Sequence, residues 1–365
     1  MQNHLEKIGI DAAIITDPKN VYYFTGYVNV SVNPVPTYLI AFKNDEPILL
    51  TGITEAAAAK EKFGGGVETF TNYDLQERML AYPDLAATRL KKVTKYRRLR
   101  KVGLEFWTAP ETVRQAVTSN GSSMRLFNLS EKILTWRRTK DPDEVEAIRT
   151  SCELVDYGYG IIKERSSEGL TELDAYAQSY QKLIEKANST SFQFFYGDFA
   201  SGDRALQGGG PPTKRVMRKG ETFILDLWVT TKGYWADTCR TFVIGGEPSS
   251  AQKRTLDLLK CALNAGAEKL RPGNNAAEVY QTIFDVIQEA GYGSKFTHHG
   301  GHCVGLDAWE PPFIIPGSKE RLKENEVCAL EPGVYVPEIG GMRIENDYLI
   351  TSSGGRSLSK FPLDL

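Results

Sequence analysis

Residues 223–244 read FILDLWVTTKGYWADTCRTFVI and decide how the second half of the chain folds. Two apolar runs flank Lys232-Gly233, a pair suited to a tight turn, so the segment predicts a β-hairpin. One acid lies in each strand, Asp226 and Asp237, and the hairpin can aim both carboxylates at one point. An aspartate buried in such a strand is costly unless a cation or several hydrogen-bond donors lie nearby.

Three further side chains in later segments can join this pair. They are His302 in HHGGHCVGL, Glu331 in CALEPGVY and Glu345 in MRIEND. Four carboxylates and one imidazole suit Mn²⁺, Co²⁺ or Zn²⁺, and they are enough to hold two ions. Carboxylates that converge on an apolar sheet repel one another, and a pair of divalent ions relieves that repulsion. The sequence therefore predicts a hydrolase with two metal ions, Mn²⁺ being the first choice.

Composition excludes several classes of partner. The chain has 365 residues, with 44 Lys and Arg against 46 Asp and Glu, and its net charge of -2 provides no field that would draw it to nucleic acid or anionic lipid. No apolar run approaches the length of about 18 residues that a membrane span needs. The N-terminal residues show no secretory signal pattern, and the five cysteines show no CxxC spacing. We therefore expect a cytoplasmic protein with reduced thiols.

The chain is expected to form two domains, residues 1–136 and 137–365. The first alternates strand-like runs with helical stretches, which predicts a largely parallel α/β layer. The predicted strands are residues 10–15, 37–42, 46–51, 66–70 and 101–106, and the predicted helices are residues 55–63, 84–93 and 110–117.

The second domain is expected to be α+β, with an antiparallel sheet flanked by helices. Asp141-Pro142-Asp143-Glu144 has the pattern of a capped helix start. Two further helices are predicted over residues 249–270 and 275–290, the latter ending at Gly291. Strands are predicted over residues 223–229, 234–244, 327–335 and 342–350.

This second half resembles the pita-bread metallopeptidase family, which holds Xaa-Pro aminopeptidases, prolidases, methionine aminopeptidases and the non-metal creatinases. The matching segments are Asp226 of its D-x-G strand, Asp237-Arg240-Thr241 of D-x-T-R-T, His302 of G-H-G-x-G-L, Glu331-Pro332-Gly333 of E-P-G and Arg343-Ile344-Glu345 of R-I-E. The resemblance covers residues 140–365, and the first half is compatible with the extra domain of the creatinase and prolidase branch. It implies a homodimer and a peptide or amide substrate.

The sequence departs from the family pattern at several positions. Gly209 aligns with a catalytic histidine, and Trp309 stands where the family's H-E-x-P motif has a second one. Trp228 replaces the glycine of D-x-G, and Cys239 replaces the threonine of D-x-T. The two tryptophans either fill volume or form an aromatic wall for a flat or apolar substrate.

By resemblance, Glu331 is the general base that takes a proton from the attacking water and passes it to the leaving nitrogen. With two histidines missing, the second metal ion, His298 or Arg343 would have to stabilise more of the developing negative charge. Three functions follow: an Xaa-Pro peptidase, an enzyme of the same scaffold acting on a small non-peptide metabolite (hydrolysis of an amide or amidine, or a lyase reaction), and a silent binding protein. Gly209 and Trp309 favour the second function, whereas five retained ligands count against the third.

Overall fold

The computed structural model of the chain describes residues 1–28, 35–71, 82–95, 97, 99–119, 124–165, 167–187 and 195–364. The chain divides into two compact units, Met1–Trp136 and Arg137–Leu365.

The first unit is an α/β sandwich around one six-stranded sheet. Its strands are β1 Ala12–Ile15, β2 Tyr38–Phe42, β3 Ile48–Gly52, β4 Gly66–Phe70, β5 Lys101–Leu104 and β6 Arg125–Asn128. Its helices are α1 Gln2–Ile8, α2 Pro18–Thr25, α3 Ala56–Lys62, α4 Tyr82–Lys95, α5 Glu111–Thr118 and α6 Ser130–Arg137, with a 3-10 turn at Ile53–Glu55.

The sheet has the order β4-β3-β2-β1-β5-β6 and is mixed, so the predicted largely parallel layer needs a correction. Strand β2 runs antiparallel to both neighbours, β1 and β3, while the other pairings are parallel. The reason is local, since only a short turn joins β2 to β3 and such a connection reverses the chain.

Helices cover both faces of this sheet. Alternate residues of β1 face opposite sides, so Ile14 packs with Leu90 of α4 and Val113 of α5, whereas Ile15 packs with Leu5 of α1. All four side chains of β1 are therefore buried, which explains why this strand is a continuous apolar run.

The second unit combines four long helices with antiparallel strands. Its helices are α7 Pro142–Arg165, α8 Glu172–Ala187, α9 Ser250–Lys269 and α10 Ala276–Glu289, with 3-10 turns at Gly202–Gln207 and Gly293–Lys295. Its strands are β7 Phe195–Ser201, β8 Thr222–Thr231, β9 Tyr234–Val243, β10 Gly301–Cys303, β11 Glu310–Ile314, β12 Val327–Leu330, β13 Gly333–Val336, β14 Gly340–Arg343, β15 Asn346–Thr351 and β16 Gly354–Ser357.

These strands form sheets with the orders β7-β8-β9, β11-β10-β12-β15-β16 and β13-β14. Every pairing between them is antiparallel, so the predicted α+β architecture of this unit is confirmed. Helices α9 and α10 pack their apolar faces on the five-stranded sheet and bury, among others, Leu259, Leu263 and Ile283.

The helix starts follow the predicted capping pattern. The Asp141 N–H donates to Glu144 Oε2 (2.9 Å) at the start of α7, and Ser249 and Gln252 form a complete capping box at α9. Asn275 caps α10, and Gly291 just beyond its end has φ 84°, a left-handed conformation that glycine adopts without strain.

Two predicted strands are each divided in the structure. Residues 327–335 form β12 and β13 with Glu331 between them, and residues 342–350 form β14 and β15 with Glu345 between them. In both cases the chain leaves one sheet and enters another at the acid, because β12 and β15 belong to the five-stranded sheet and β13 and β14 to the two-stranded one.

The predicted reduced thiols are wrong for one pair of cysteines. Cys303 of β10 and Cys328 of β12 lie directly opposite each other and form a disulfide, because the strand register brings them together. Cys152, Cys239 and Cys261 are free. Within the described residues, none of the helices has both the length and the apolar character that crossing a bilayer requires.

Candidate metal centre

The β8–β9 hairpin forms as predicted and places its two aspartates on one face. Asp226 is paired with Cys239, and Asp237 with Trp228, so all four side chains point to the same side of the sheet. Asp198 of β7 is paired with Asp226 on the other edge and shares that face. The sheet β7-β8-β9 thus contributes a strip of acids from three neighbouring strands.

The other three predicted ligands approach the strip from separate strands. His302 lies in β10, while Glu331 and Glu345 lie at the joints described above. Backbone hydrogen bonds fix both joints: Glu331 N–H donates to Gly300 O (3.0 Å), and Glu345 N–H donates to Cys239 O (2.9 Å). The acids are therefore held by main chain and not only by their side chains.

A compact cluster forms at the centre of these elements. Asp237, His302 and Glu345 are buried, and one possible ligand atom from each lies within 4.8 Å of the other two. His302 Nε2 is 3.5 Å from Asp237 Oδ2 and 3.8 Å from Glu331 Oε1. On the other side of the ring His302 Nδ1 donates to Cys303 O (3.1 Å), which leaves Nε2 as the nitrogen that faces the acids.

The cluster fits a divalent cation. Burial, together with repulsion from neighbouring carboxylates, raises the pKa of Asp237 and of Glu345 well above the ordinary range. Within the described part of the chain, Glu345 Oε2 is buried and has no hydrogen-bond partner. Crowded carboxylates with an unpartnered oxygen beside a neutral imidazole are the donor set that Mn²⁺, Co²⁺ or Zn²⁺ accepts.

Asp226 lies in the same strip but is held by two donors. Arg343 Nη2 donates to Asp226 Oδ2 (2.6 Å), and the Trp228 indole N–H donates to Asp226 Oδ1 (2.9 Å). Burial raises the pKa of Asp226 to about 6, against the opposing effect of the Arg343 charge. The predicted pocket residue Trp228 therefore contacts a predicted ligand directly.

Arg343 connects several groups of the site. Besides Asp226, its guanidinium donates to Gly208 O and to Asp198 Oδ2 (3.0 Å), and its Nε lies 4.0 Å from Glu331 Oε2. One buried positive charge thus lies among three carboxylates.

Two histidines flank Glu331 but play different parts. The Nδ1 of His298 donates to His299 O (2.8 Å) and its Nε2 accepts from the Tyr335 hydroxyl (2.8 Å), so both nitrogens of this predicted catalytic residue are engaged. Burial lowers the pKa of His298 to about 4, which keeps the ring neutral. His299, which we did not predict, points its Nδ1 at Glu331 Oε1 (3.0 Å).

His299 changes the charge state of Glu331. Burial alone would raise the pKa of Glu331, but the contact with His299 and the positive charges around it lower that pKa below the ordinary range. Glu331 is therefore ionised at neutral pH and can accept a proton. The His298-His299 doublet was the signal in the sequence, and only the structure shows which ring faces the acid.

The predicted pocket residue Trp309 covers the cluster from the solvent side. Its side chain is 56% exposed, yet its ring stacks on His302 with centroids 4.9 Å apart and meets the edge of His299 at 5.1 Å. Neighbouring Glu310, by contrast, is buried and paired with Arg137 and Lys140.

Comparison with known proteins agrees with this geometry. The sequence profile of metallopeptidase family M24 matches residues 146–352, and that of the creatinase/prolidase N-terminal domain matches residues 1–139. The chain belongs to metallopeptidase family M24. Its two profiles account for both units, and the predicted pita-bread fold and creatinase/prolidase branch are confirmed.

Relatives within family M24 align over the whole chain. The Xaa-Pro dipeptidase of Pyrococcus furiosus is 28% identical over 372 residues, and the alignment covers 100% of both chains. The Xaa-Pro dipeptidase of Lactobacillus delbrueckii subsp. lactis is 29% identical, covering 97% of this chain and 94% of the relative. Among solved structures, the prolidase from Pyrococcus horikoshii OT3 has a TM-score of 0.84 with 26% identity, covering 100% of this chain and 98% of that one. The prolidase from Pyrococcus furiosus has a TM-score of 0.83 with 28% identity, covering 99% and 100%.

Membership in this family confirms the prediction of a metal-dependent hydrolase that resembles the Xaa-Pro peptidases. Divalent metal ions are the cofactor class that the family implies.

Proposed function

We propose that this protein is a dipeptidase that cleaves the bond between an N-terminal residue and a following proline. Two divalent ions, with Mn²⁺ as the native metal and Co²⁺ or Zn²⁺ as alternatives, are held by Asp226, Asp237, His302, Glu331 and Glu345. The supporting observation is the buried cluster of Asp237, His302 and Glu345, whose ligand atoms lie within 4.8 Å of one another. The names of the full-length relatives support the substrate class.

The proposed role of each side chain follows from its contacts. Bound cations supply Lewis-acid chemistry by polarising a carbonyl oxygen and acidifying a water molecule. Glu331, ionised and oriented by His299, accepts a proton at Oε1 or Oε2 and returns it to the leaving nitrogen. Arg343 holds Asp226 and stabilises negative charge beside Glu331. The neutral His298 fixes the Tyr335 hydroxyl and the backbone of His299.

The test combines metal content with activity. Purified protein loaded with Mn²⁺ is expected to bind metal stoichiometrically and to hydrolyse Xaa-Pro dipeptides, and Asp237→Asn is expected to lose both properties. Glu331→Gln should lose hydrolysis by at least about 100-fold because no base remains to move the proton. Absence of metal binding in the wild-type protein would overturn the proposal.

A second substrate class is favoured by Gly209 and Trp309, since neither residue can supply the imidazole that the family pattern has at its position. We propose amides of small non-peptide metabolites as the alternative. A screen that compares Xaa-Pro dipeptides with such amides decides between them, because the preferred class should show the higher kcat/KM.

We also propose that the protein works as a homodimer in the cytoplasm. The dimer rests on the resemblance to the prolidase branch alone. The free thiols of Cys152, Cys239 and Cys261 fit a reducing compartment, whereas the Cys303–Cys328 disulfide opposes it. Light scattering of the purified protein and a thiol count in cell extract test the two statements separately.

A further inference from the structure

A side chain at position 209 would occupy the space that the Asp198 carboxylate fills. A Cβ atom added to Gly209 would lie 1.8 Å from Asp198 Oδ2 and 2.4 Å from its Cγ, far closer than atoms can approach. Any side chain at position 209 would therefore have to displace the Asp198 carboxylate. At the position where the family pattern has a histidine, this chain has no side chain, and a carboxylate from a neighbouring strand fills the space.

The Asp198 carboxylate is joined to the candidate metal centre through Arg343. The same guanidinium nitrogen, Nη2, donates to Asp198 Oδ2 (3.0 Å) and to Asp226 Oδ2 (2.6 Å). The side chain of Asp198 is 20% exposed, compared with 8% for both Arg343 and Asp226, so Asp198 is the outermost member of the three.

We propose that Asp198 is a positioning residue that divides the charge of Arg343 between two carboxylates and so keeps Asp226 available to a cation. This inference rests on the proposed metal centre. Without Asp198, a larger share of the guanidinium charge would act on Asp226, and Asp226 would be a poorer ligand because it would be more fully neutralised. Loss of the Asp198 charge would also make the potential at the cluster less negative, so both effects weaken cation binding.

The experiment measures Mn²⁺ affinity by titration calorimetry of metal-free protein at one neutral pH. Asp198→Asn is expected to lower the affinity at least about tenfold, the effect of removing a unit charge about 12 Å away at an effective dielectric constant of about 20. Gly209→Ala should have a similar effect, because its Cβ pushes the carboxylate off Arg343. The double variant should lose no more than either single variant, since both act on one contact.

Glu221→Gln is the matched control. Glu221 lies in the same unit, has the same 20% exposure and is also paired with an arginine, Arg215. The Glu221→Gln variant should bind Mn²⁺ with the affinity of the wild-type protein. Excess Mn²⁺ should restore the activity of Asp198→Asn, and the circular dichroism of its metal-free form should match that of the wild-type protein, which excludes a folding defect.

Three results would overturn the inference while leaving the proposed function intact. The first is wild-type affinity in Asp198→Asn, and the second is an equal loss in Glu221→Gln. The third is strictly additive losses in the double variant, because Gly209 and Asp198 would then act separately. A wild-type protein that binds no Mn²⁺ would overturn both the inference and the metal centre on which it rests.

Discussion

Two of the buried arginines of the second unit, Arg240 and Arg343, serve different purposes because their acceptors differ. Arg240 is almost fully buried and donates to four main-chain carbonyls and the Asn346 side chain, all neutral. It ties the chain near Phe361 and Pro362 to β9 and to the Glu345 carbonyl. Arg343, in contrast, lies among carboxylates, so its charge acts on the cluster and not only on the packing.

At the scale of single residues, Trp228 should stabilise the metal-free protein. Replacement by phenylalanine removes the N–H that donates to Asp226 and leaves a buried carboxylate with one donor fewer. Hydrogen bonds to charged groups contribute more than neutral ones, so we expect Trp228→Phe to cost about 2 kcal/mol of unfolding free energy. Urea unfolding in the presence of a chelator, above neutral pH, measures this loss.

Trp235→Phe is the control for this experiment. Trp235 lies on the neighbouring strand of the same hairpin, and its indole N–H donates to a neutral carbonyl, that of Leu306 (3.2 Å). Both substitutions remove the same side-chain volume, so Trp235→Phe should lower the unfolding free energy by about 1 kcal/mol less than Trp228→Phe does. Equal costs in the two variants would mean that the bond to Asp226 contributes nothing beyond packing.

The candidate site could be predicted only where the sequence itself shows that a carboxylate will be buried and will need a partner. Acids inside apolar strands, such as Asp226 and Asp237, indicate that a cation or hydrogen-bond donors lie nearby, because burial without them is costly. Asp198 gave no such signal, since nothing in the sequence showed that it would fill the space beside Gly209. His299 was missed for a similar reason: the orientation of two adjacent rings depends on tertiary contacts that no local pattern encodes.

At the scale of elements, the start of α7 is joined to β9 by a buried hydrogen bond. The Tyr234 hydroxyl donates to Glu144 Oε1 (2.8 Å), while Glu144 Oε2 accepts from the N-cap residue Asp141. Burial raises the pKa of Glu144, an effect that these two bonds oppose without cancelling. A carboxyl whose folded-state pKa is raised binds protons more tightly in the folded state, so its contribution to stability falls as pH rises through the shifted pKa.

Tyr234→Phe should therefore lower the unfolding free energy more at neutral pH than at acid pH. The variant leaves the ionised Glu144 short of one donor, a loss of about 2 kcal/mol when the group is charged and less when it is protonated. Urea unfolding of the wild-type protein and the variant at pH values on either side of the titration measures the difference. In a Glu144→Gln background the same substitution should have a cost that does not change with pH, and a pH-dependent cost there would contradict this explanation.

Element types were predictable from periodicity, but breaks in strands were not. The predicted strands at residues 327–335 and 342–350 each begin or end in an apolar run, which favoured one continuous strand although Pro332-Gly333 is a break signal beside Glu331. The joints exist because β13 and β14 pair with each other while β12 and β15 pair in another sheet. These pairing partners belong to two different sheets, which the local pattern of either strand does not show.

At the scale of the whole molecule, every residue assigned to the metal centre lies in the unit Arg137–Leu365. That unit has its own apolar core, built by α9, α10 and the five-stranded sheet. We therefore expect a fragment of residues 137–365 to fold and to bind Mn²⁺ with the stoichiometry of the full chain. Calorimetric titration measures it, with His302→Ala in the fragment as the control.

A fragment that shows the circular dichroism of a folded α+β protein but binds no Mn²⁺ would contradict this expectation. Binding that matches the full chain would show that the first unit contributes no ligand.

The indole of Trp309 gives the molecule an optical probe of its own. Its ring lies against His302, so an open-shell ion such as Co²⁺ arriving beside that imidazole should quench its emission, whereas Zn²⁺, with a filled d shell, should leave it brighter. Metal loading of the cluster could then be followed in real time without a dye, as the change in tryptophan emission that is lost in Trp309→Phe, which keeps the other four tryptophans.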